Sequence, residues 1–581
     1  MKVNRPGLDS ALLAFAREGS GLVLGAPGVG KTYSLAALVG SLEERELPVL
    51  FIAVEELGEA TEEDLQRALG YPQSTFLEQL GNLFALPEGV LVFDGFDAAR
   101  NAVVRTRVLQ IIRAAVRTAP KTWSVLVSVR NFDAAKSPSL IELFPARPTK
   151  PDQRFRDASV RARHFLVPQL TDDEVLQAVP LIPGFDRIYS GAGTGLRRLA
   201  HTAFNLWLIE RVLTQASNPE QVSALESETQ LLSLYWDTYV SDAPNSEMRL
   251  RVLERVTHKM ISERRISCPV SEVYDTALDE GWEALLSAEV LSRSGAAKNR
   301  AVFTHNILFD YAVSVLAIED APQALSRFLM TDPSRPLFLR PSLVYYFTGL
   351  WQRNRKRFWD SYWEVVSAAA VPIRVVGRII PPYVISSECR DAGELKPLVD
   401  RRMQNPEDGA PALLRVLQAL RFSEPRDLDP WITFAAEAAT VPDGVFAWEL
   451  ATFLGDVADK VLESSIRERL GQAARTLFTW AWARRHGERG QWYDALASLR
   501  VLPLVLETFD TDERQSEKIV RDVLGLVSER DFPIRYFNAL ADGIGRIAKS
   551  APSIAATVYQ EVFRHEEESE TKTHMGGIVL P

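Results

Sequence analysis

The sequence predicts an α/β domain at its N-terminal end, three layers around a mostly parallel sheet, followed by helical domains and a long all-helical second half. Three observations predict this. Between Gly21 and Arg130, apolar runs of strand length alternate with stretches of helical spacing, the pattern of βα units on a parallel sheet. A glycine-rich turn joins the first of these strands to the first of these helices. From about Ala324 onward no strand-rich pattern returns, and apolar and aromatic residues recur at helical steps.

The first strand is Leu22-Val23-Leu24. The next residues read Gly25-Ala-Pro-Gly-Val-Gly30-Lys31-Thr32, a complete G-x-x-x-x-G-K-T, and a helix is expected over Tyr33 to Val39. In this strand-turn-helix setting the pattern is that of a phosphate-binding loop. Its glycines let backbone N–H groups face phosphates, and the helix N-terminus adds a favourable dipole. The expected nucleotide-binding set is Gly25, Pro27, Gly28, Val29, Gly30, Lys31, Thr32 and Tyr33, with Lys31 on the β/γ-phosphates and the Thr32 hydroxyl on Mg²⁺. Glycine-rich strand-to-helix turns also occur in folds without nucleotides; Lys-Thr directly after the last glycine argues against that here.

Pro48 to Val54 is a continuous apolar run, as for a buried parallel strand, and a helical stretch is expected from Thr61 to Leu83. Val90-Leu-Val-Phe93 then ends in Asp94, the form of a strand whose terminal carboxylate reaches Mg²⁺ through its water shell. Asp97 orients or polarises the attacking water, or else caps a turn, the ordinary role of such an Asp. The strand Ser124 to Val129 ends at Arg130. Strand C-termini in open α/β sheets face the ligand crevice, so Arg130 is placed to sense a γ-phosphate, with a salt bridge at the sheet edge as the plainer alternative. Asp94, Asp97 and Arg130 are thus the catalytic candidates, and Thr32 and Asp94 the metal candidates.

Composition bounds the rest. A chain of 581 residues holds about three or four domains. With 46% hydrophobic and 24% charged residues it can bury large cores, and a net charge of −10 provides no basic field for nucleic acid. Cys268 and Cys389, the two cysteines, match no metal spacing and read as reduced thiols of an intracellular protein. The N-terminus has no signal-peptide pattern, and the apolar stretch Val365 to Ile380 is broken by Pro372, Arg374 and Arg378, so a cytoplasmic protein with no membrane partner is expected. His164, His201, His258, His486, His565 and His574 form no metal-binding set, and there is no serine nucleophile elbow.

Taken in order, Gly25 to Thr32, the Asp94-Gly95-Phe96-Asp97 run and the strand ending in Arg130 resemble the STAND class of signal-transduction P-loop ATPases, especially the NACHT-like bacterial and animal immune sensors. Phe165-Leu-Val-Pro-Gln-Leu170-Thr-Asp-Asp-Glu174 is similar to the segment leading these ATPases into their helical domain. Thr202-Ala-Phe-Asn-Leu206 resembles their short proline-containing motif, and Leu231 to Trp236 the helix after it. Val302-Phe-Thr-His305-Asn306 resembles the winged-helix motif whose histidine contacts the ADP β-phosphate in the resting state. The resemblance implies a P-loop NTPase domain over 1–160, a helical domain over 161–240, a winged-helix-like domain over 241–320 and a helical-repeat sensor region over 321–581.

It also implies ATP/ADP and Mg²⁺ as ligands, slow regulatory hydrolysis, and exchange of ADP for ATP leading to a homo-oligomer. A trigger macromolecule, protein or nucleic acid, would meet the repeats, and a separate effector protein would take the output, with antiphage defence as the setting. His305 would then donate to an ADP phosphate and tie the winged-helix domain onto the ATPase domain; without the resemblance, a histidine beside Val302 and Phe303 is an ordinary core residue. Three positions depart from the family pattern. Ala203 stands where a proline packs on the adenine side, Ala98 where many members carry a second acid, and Asn306 where Asp is commoner.

In the second half, Phe358-Trp359-Tyr362-Trp363-Val366 and Phe446-Trp448-Leu450-Phe453-Leu454 step at helical spacing, with breaks expected near Pro372, Pro381-Pro382, Pro425, Pro430, Pro442, Pro503, Pro533 and Pro552. That rhythm predicts an α-solenoid of degenerate helix pairs, with an ordinary bundle as the alternative. The basic cluster Arg353-Asn-Arg-Lys356-Arg357 reads as a solvated helix face or a nucleic-acid contact, and Trp351 and Trp359 as core or as stacking platforms. Only 24 residues precede Gly25, too few for an N-terminal effector domain, and the apolar stop Gly576 to Pro581 after the acidic run Glu566 to Glu570 reads as that of a shortened chain. Three rival functions remain open. They are a motor-like P-loop ATPase that remodels or loads a nucleic-acid-bound complex, a winged-helix transcription regulator using Arg293, Lys298 and Arg300, and a scaffold that binds nucleotide without hydrolysing it.

Overall fold

The computed structural model describes residues 3–576 apart from 59, 70–72, 136, 147–152, 216–219, 295–297, 320, 322, 367–372, 421–422, 424–427, 439–443, 459–463, 485–491 and 526–533. The chain divides into two compact units, Met1–Gly349 and Leu350–Pro581. The first begins with a five-stranded sheet of β1 (Gly21–Leu24), β2 (Val49–Ala53), β3 (Gly89–Asp94), β4 (Trp123–Val129) and β5 (His164–Leu166), in the order β2-β3-β4-β1-β5. All four pairings are parallel. Ala53 stands opposite Asp94, and Leu24 opposite both Val129 and Leu166, so the strands end along one edge.

Both faces of the sheet are covered, which is why β1, β3 and β4 are buried along their whole length and mostly apolar, with no in-out alternation. On one face, Leu8 and Leu12 of the helix Pro6–Glu18 and Leu35 and Leu38 of the helix Lys31–Glu43 pack on Val23, Val92 and Leu126. On the other, Leu65, Phe76, Val108 and Ile112 pack on Leu22, Leu91 and Val125. This is the three-layer α/β arrangement expected from the alternation.

Two local expectations change. The stretch from Thr61 to Leu83 is two helices, Glu62–Leu69 and Phe76–Phe84. Thr75 starts the second with a capping box: its hydroxyl accepts the Glu78 N–H, and the Glu78 carboxylate accepts the Thr75 N–H at 2.8 Å. β5, which the apolar periodicity did not reveal, extends the sheet beyond β1.

Beyond β5 the first unit is mainly helical. The helices Asp172–Ala178, Thr194–Ala200, Ala203–Gln215, Glu228–Trp236, Ser246–Glu263 and Asn306–Leu316 share one core with β6 (Ser267–Pro269), β7 (Leu291–Ser294) and β8 (Arg300–Phe303). These three strands form a small antiparallel sheet in the order β6-β8-β7. Cys268 lies in that core, and burial pushes its thiol up to about 12, so it is a structural rather than a reactive cysteine.

In the second unit, helices pack on partners two along the chain. Val375–Glu388 meets Pro406–Leu420, which meets Gly444–Ala458, then Trp492–Glu507, then Ile534–Ser550. In a second row, Asp429–Ala438 meets Ser464–Ala483, which meets Glu513–Leu524 and then Pro552–Gly576. Pro430 and Pro552 sit in first helical turns, as a break requires. Pro381, Pro382 and Pro503 do not break the chain: they lie inside Val375–Glu388 and Trp492–Glu507. An interior proline costs about 3 kcal/mol, and the burial of Ile380, Val384 and Ile385, or of Leu502, Leu504 and Val505, outweighs it. The breaks expected at Pro372, Pro425, Pro442 and Pro533, His486, and residues 577–581 of the C-terminal stop lie outside the described residues.

Trp351 and Trp359 are buried against Phe358 and are core residues. Arg355 lies over the Trp351 ring at 3.6 Å and pairs with Glu394, while Arg357 is 3.8 Å from Glu364. Internal contacts thus engage part of the basic cluster. No helix among the described residues is long and apolar enough to cross a membrane.

One buried ion pair joins the α/β layers to the helical part of the first unit. Arg100, just past β3, donates from Nη1 and Nη2 to Asp310 Oδ1 and Oδ2 at 2.7 and 2.8 Å, and the Ser342 hydroxyl donates to Oδ1 at 2.8 Å. Their side chains are only 7% and 2% exposed, so removing one charge strands the other. Asp310→Asn is expected to destabilise the first unit by about 3 kcal/mol, read as a fall in denaturant midpoint, whereas Asp310→Glu should recover part of it. A midpoint unchanged by Asp310→Asn would show the pair to be dispensable.

Candidate functional site

A cleft of about 590 Å³ opens where the parallel strands end, walled by the loops after β1, β2, β3 and β4, by the start of Ala203–Gln215 and by the segment entering Asn306–Leu316. Its floor is the turn between β1 and the helix Lys31–Glu43. Gly28 and Gly30 have φ of 75° and 97°, a left-handed conformation that favours glycine. At Gly28 space is also short: a Cβ there would lie 2.9 Å from the Phe204 Cβ. Lys31 Nζ donates to the Gly25 and Ala26 carbonyls at 2.8 and 3.1 Å, which folds it over the turn. Burial holds its ammonium below the usual lysine range, against the pull of Asp97.

Opposite, β3 delivers Asp94. Its Oδ1 accepts the Ser128 hydroxyl from neighbouring β4, and that hydroxyl accepts the Gly95 N–H at 2.7 Å, fixing the carboxylate's direction. Asp97 sits in the tight turn Phe96–Ala98, and its Oδ2 is 2.6 Å from Arg130 Nε. Burial would raise the Asp97 carboxyl, but the Arg130, Lys31 and Arg100 cations outweigh it and hold it below the ordinary range. Arg130 therefore makes the salt bridge that was its plainer alternative while also lining the cleft.

His305 closes the far side. Its ring stacks on Phe204, centroids 4.1 Å apart, and Phe204 stacks on Trp207 at 5.6 Å. The Phe204 N–H donates to the Gly28 carbonyl at 2.9 Å, pinning this aromatic row to the glycine turn. His305 Nδ1 accepts the Ile307 N–H at 3.1 Å and caps the helix that follows. A nitrogen that accepts cannot carry the proton, so the neutral ring bears it on Nε2. Burial, together with Arg130 and Lys31, depresses His305 to about 4.

Of the residues chosen from sequence, Pro27, Gly28, Gly30, Lys31, Thr32, Tyr33, Asp94, Asp97, Arg130 and His305 line this one cleft. Gly25 contributes a carbonyl beneath Lys31, and Val29 is buried in the core under the turn. Ala203 lines the wall beside Phe204 and Trp207. Glu55, Ser128 and Asn306 also line it and were not chosen as site residues. Among the described residues no group of three or more His, Cys, Asp or Glu side chains could enclose a metal. Thr32 and Asp94 instead supply one hydroxyl and one carboxylate in one cleft, the sparse protein set that suits Mg²⁺ sharing its shell with water and phosphate oxygens.

The depressed His305 titration has a sign. The unfolded chain takes up this proton near pH 6.5 and the folded chain only near 4, so stability is lost as pH falls through that window. Between pH 7 and 5 the loss is about 2 kcal/mol. Thermal melts are expected to show the wild type losing more stability than His305→Gln over that interval; parallel losses would mean that His305 is not held neutral.

The chain matches no protein-family model and no curated protein.

Proposed function

We propose that this protein is an ATP-dependent switch of the STAND class, NACHT-like in organisation. The observation that carries the reading is the convergence on one cleft of the glycine turn with Lys31 and Thr32, Asp94 and Asp97, Arg130 and His305, from segments spread over the first unit. The triphosphate would lie along the Gly28 to Thr32 backbone, with the N-terminus of Lys31–Glu43 and the Lys31 ammonium opposing its charge. Thr32 and Asp94 would hold Mg²⁺, which when bound neutralises charge on the β- and γ-phosphates. Arg130 would exchange its Asp97 partner for a γ-phosphate. A neutral His305 with its proton on Nε2 would donate to the phosphates of the resting nucleotide. Tyr33, Phe204 and Trp207 offer aromatic faces beside the cleft for a base.

The helix Ser246–Glu263 with the β6-β8-β7 sheet supports a winged-helix-like reading of that region, and the two helix rows of the second unit support a repeat array. Such an array would meet a trigger macromolecule. Exchange of ADP for ATP would then release the closed state, allow copies of the chain to assemble, and pass the signal to a separate effector, with antiphage defence as the setting.

Two measurements on the purified protein test this. Nucleotide released by denaturation and separated by liquid chromatography should be ADP, and mass photometry should show assembly with ATP plus trigger. Lys31→Ala should weaken ATP binding at least about tenfold, the loss of one charge-assisted phosphate contact, with its melting temperature in the absence of nucleotide little changed. Wild-type affinity in Lys31→Ala would refute the phosphate-loop assignment. Rapid, nucleic-acid-stimulated turnover at constant size would replace the switch by a motor.

A further inference from the structure

We propose that Glu55 is the group that accepts the proton from the attacking water in this cleft, with Asn306 as its positioning residue; this rests on the ATP-hydrolysing reading above. Glu55 lies in the tight turn Val54–Leu57 directly after β2. Ala53 pairs with Asp94 across β2 and β3, so this turn leaves the same sheet edge as the loop carrying Asp94 and Asp97, and it packs on the turn Phe96–Ala98. Glu55 thereby reaches the cleft wall that Lys31, Thr32 and Asp94 also line.

Three carboxylates share that wall, and their partners separate their roles. Asp94 accepts the Ser128 hydroxyl and is the carboxylate that, with Thr32, would hold Mg²⁺. Asp97 is paired with Arg130 and held at low proton affinity, which makes it a poor base. Glu55 lies beside the Asn306 side chain on the cleft wall and faces the acids Asp94, Glu56 and Asp97. The residue keeps part of its surface in solvent; burial of its carboxylate, then these acids, push it up to about 6, opposed by the nearby Asn306 amide. It is ionised at neutral pH yet takes a proton more readily than Asp97 does.

In the step itself the water oxygen bonds to the γ-phosphorus, and the bond from that phosphorus to the β–γ bridging oxygen breaks. The electron pair of the broken bond leaves with ADP. The water's proton passes to the Glu55 carboxylate and from there to the departing phosphate or to solvent. Asn306 can donate to Glu55 through its amide; an aspartate at that position would instead add a like charge. Because Asn306 follows His305 directly and opens the helix Asn306–Leu316, the contact that holds His305 against Phe204 also holds Asn306 beside Glu55.

The test compares the full-length wild type with Glu55→Gln, Asp97→Asn and Asn306→Ala. ATP affinity is measured by calorimetry, and phosphate release in a single turnover with MgCl₂ from pH 5 to 8. Glu55→Gln should bind ATP within about threefold of wild type and release phosphate at least about 100-fold more slowly, the general-base contribution. Asn306→Ala should bind normally, slow release about tenfold, and move the acidic limb of the rate profile upward, since the lost amide had favoured ionised Glu55. Asp94, Glu56, Asp97, Lys31, Arg130 and His305 remain around Glu55 in both proteins, so the shift reports on Glu55. Release by Glu55→Gln within threefold of wild type, or loss of its ATP binding while it melts normally, would overturn the proposal and leave the ATPase reading standing. A wild type that binds no ATP would overturn both.

Discussion

The contact on which this cleft depends is the approach of Phe204 to Gly28. The Phe204 N–H donates to the Gly28 carbonyl, and the two backbones come so near that a Cβ on residue 28 would meet the Phe204 Cβ at 2.9 Å. Glycine is needed there twice over, for its φ of 75° and for the missing side chain. Once this contact is made, the helix Ala203–Gln215 starts directly above the turn, Trp207 and Phe204 form an aromatic row, and His305 stacks on its end. The wall opposite the sheet edge follows from one close backbone approach.

Charge in the cleft is arranged in opposed groups. Lys31 and Arg130 face Asp94, Asp97 and Glu55, and His305 stays neutral because burial, and then the nearby Arg130 and Lys31 cations, disfavour its charged form. Asp97 and Arg130 compensate one another at 2.6 Å, which avoids an unpaired charge in a largely desolvated place. Under the ATP reading, a γ-phosphate competes with Asp97 for the same guanidinium. The energy of binding it is then a difference between two strong partners, which suits a switch better than a permanently tight site.

Periodicity and the glycine turn made the α/β part legible: β1 to β4 follow from apolar runs, and several cleft residues from the polar residues at or just past their ends. β5 escaped because His164–Leu166 is three residues long, too short for any period to register. The break before Phe76 was written in Thr75 and Glu78, a capping box that outranked a continuous helical pattern. Pro381, Pro382 and Pro503 misled because a local rule was applied where packing decides. Glu55 and Arg100 could not have been read at all. One depends on the β2 and β3 register and on a partner at Asn306, the other on Asp310, 210 residues away. Ser128 did leave a trace, a buried hydroxyl one residue from the C-terminal end of a mostly apolar strand.

The helix Asn306–Leu316 makes two contacts with the α/β part, Asn306 beside Glu55 and Asp310 paired with Arg100, while His305 at its cap stacks on Phe204 of the helical part. Asn306 and Asp310 are four residues apart and so share one helix face, which makes this helix the element any opening must displace. The buried Arg100–Asp310 pair does not forbid that. Removing one partner by mutation leaves a stranded charge, but moving the two apart into water returns hydration to both, and the desolvation that offset their attraction is recovered. The pair is therefore costly to break in place and much less costly to open. A ligand can shift such an equilibrium only by its differential affinity for the two states. Under the proposed switch, a tie whose net cost of opening is small would let modest contacts at a nucleotide or a trigger decide the state, while its geometry would fix where the helix returns on closing.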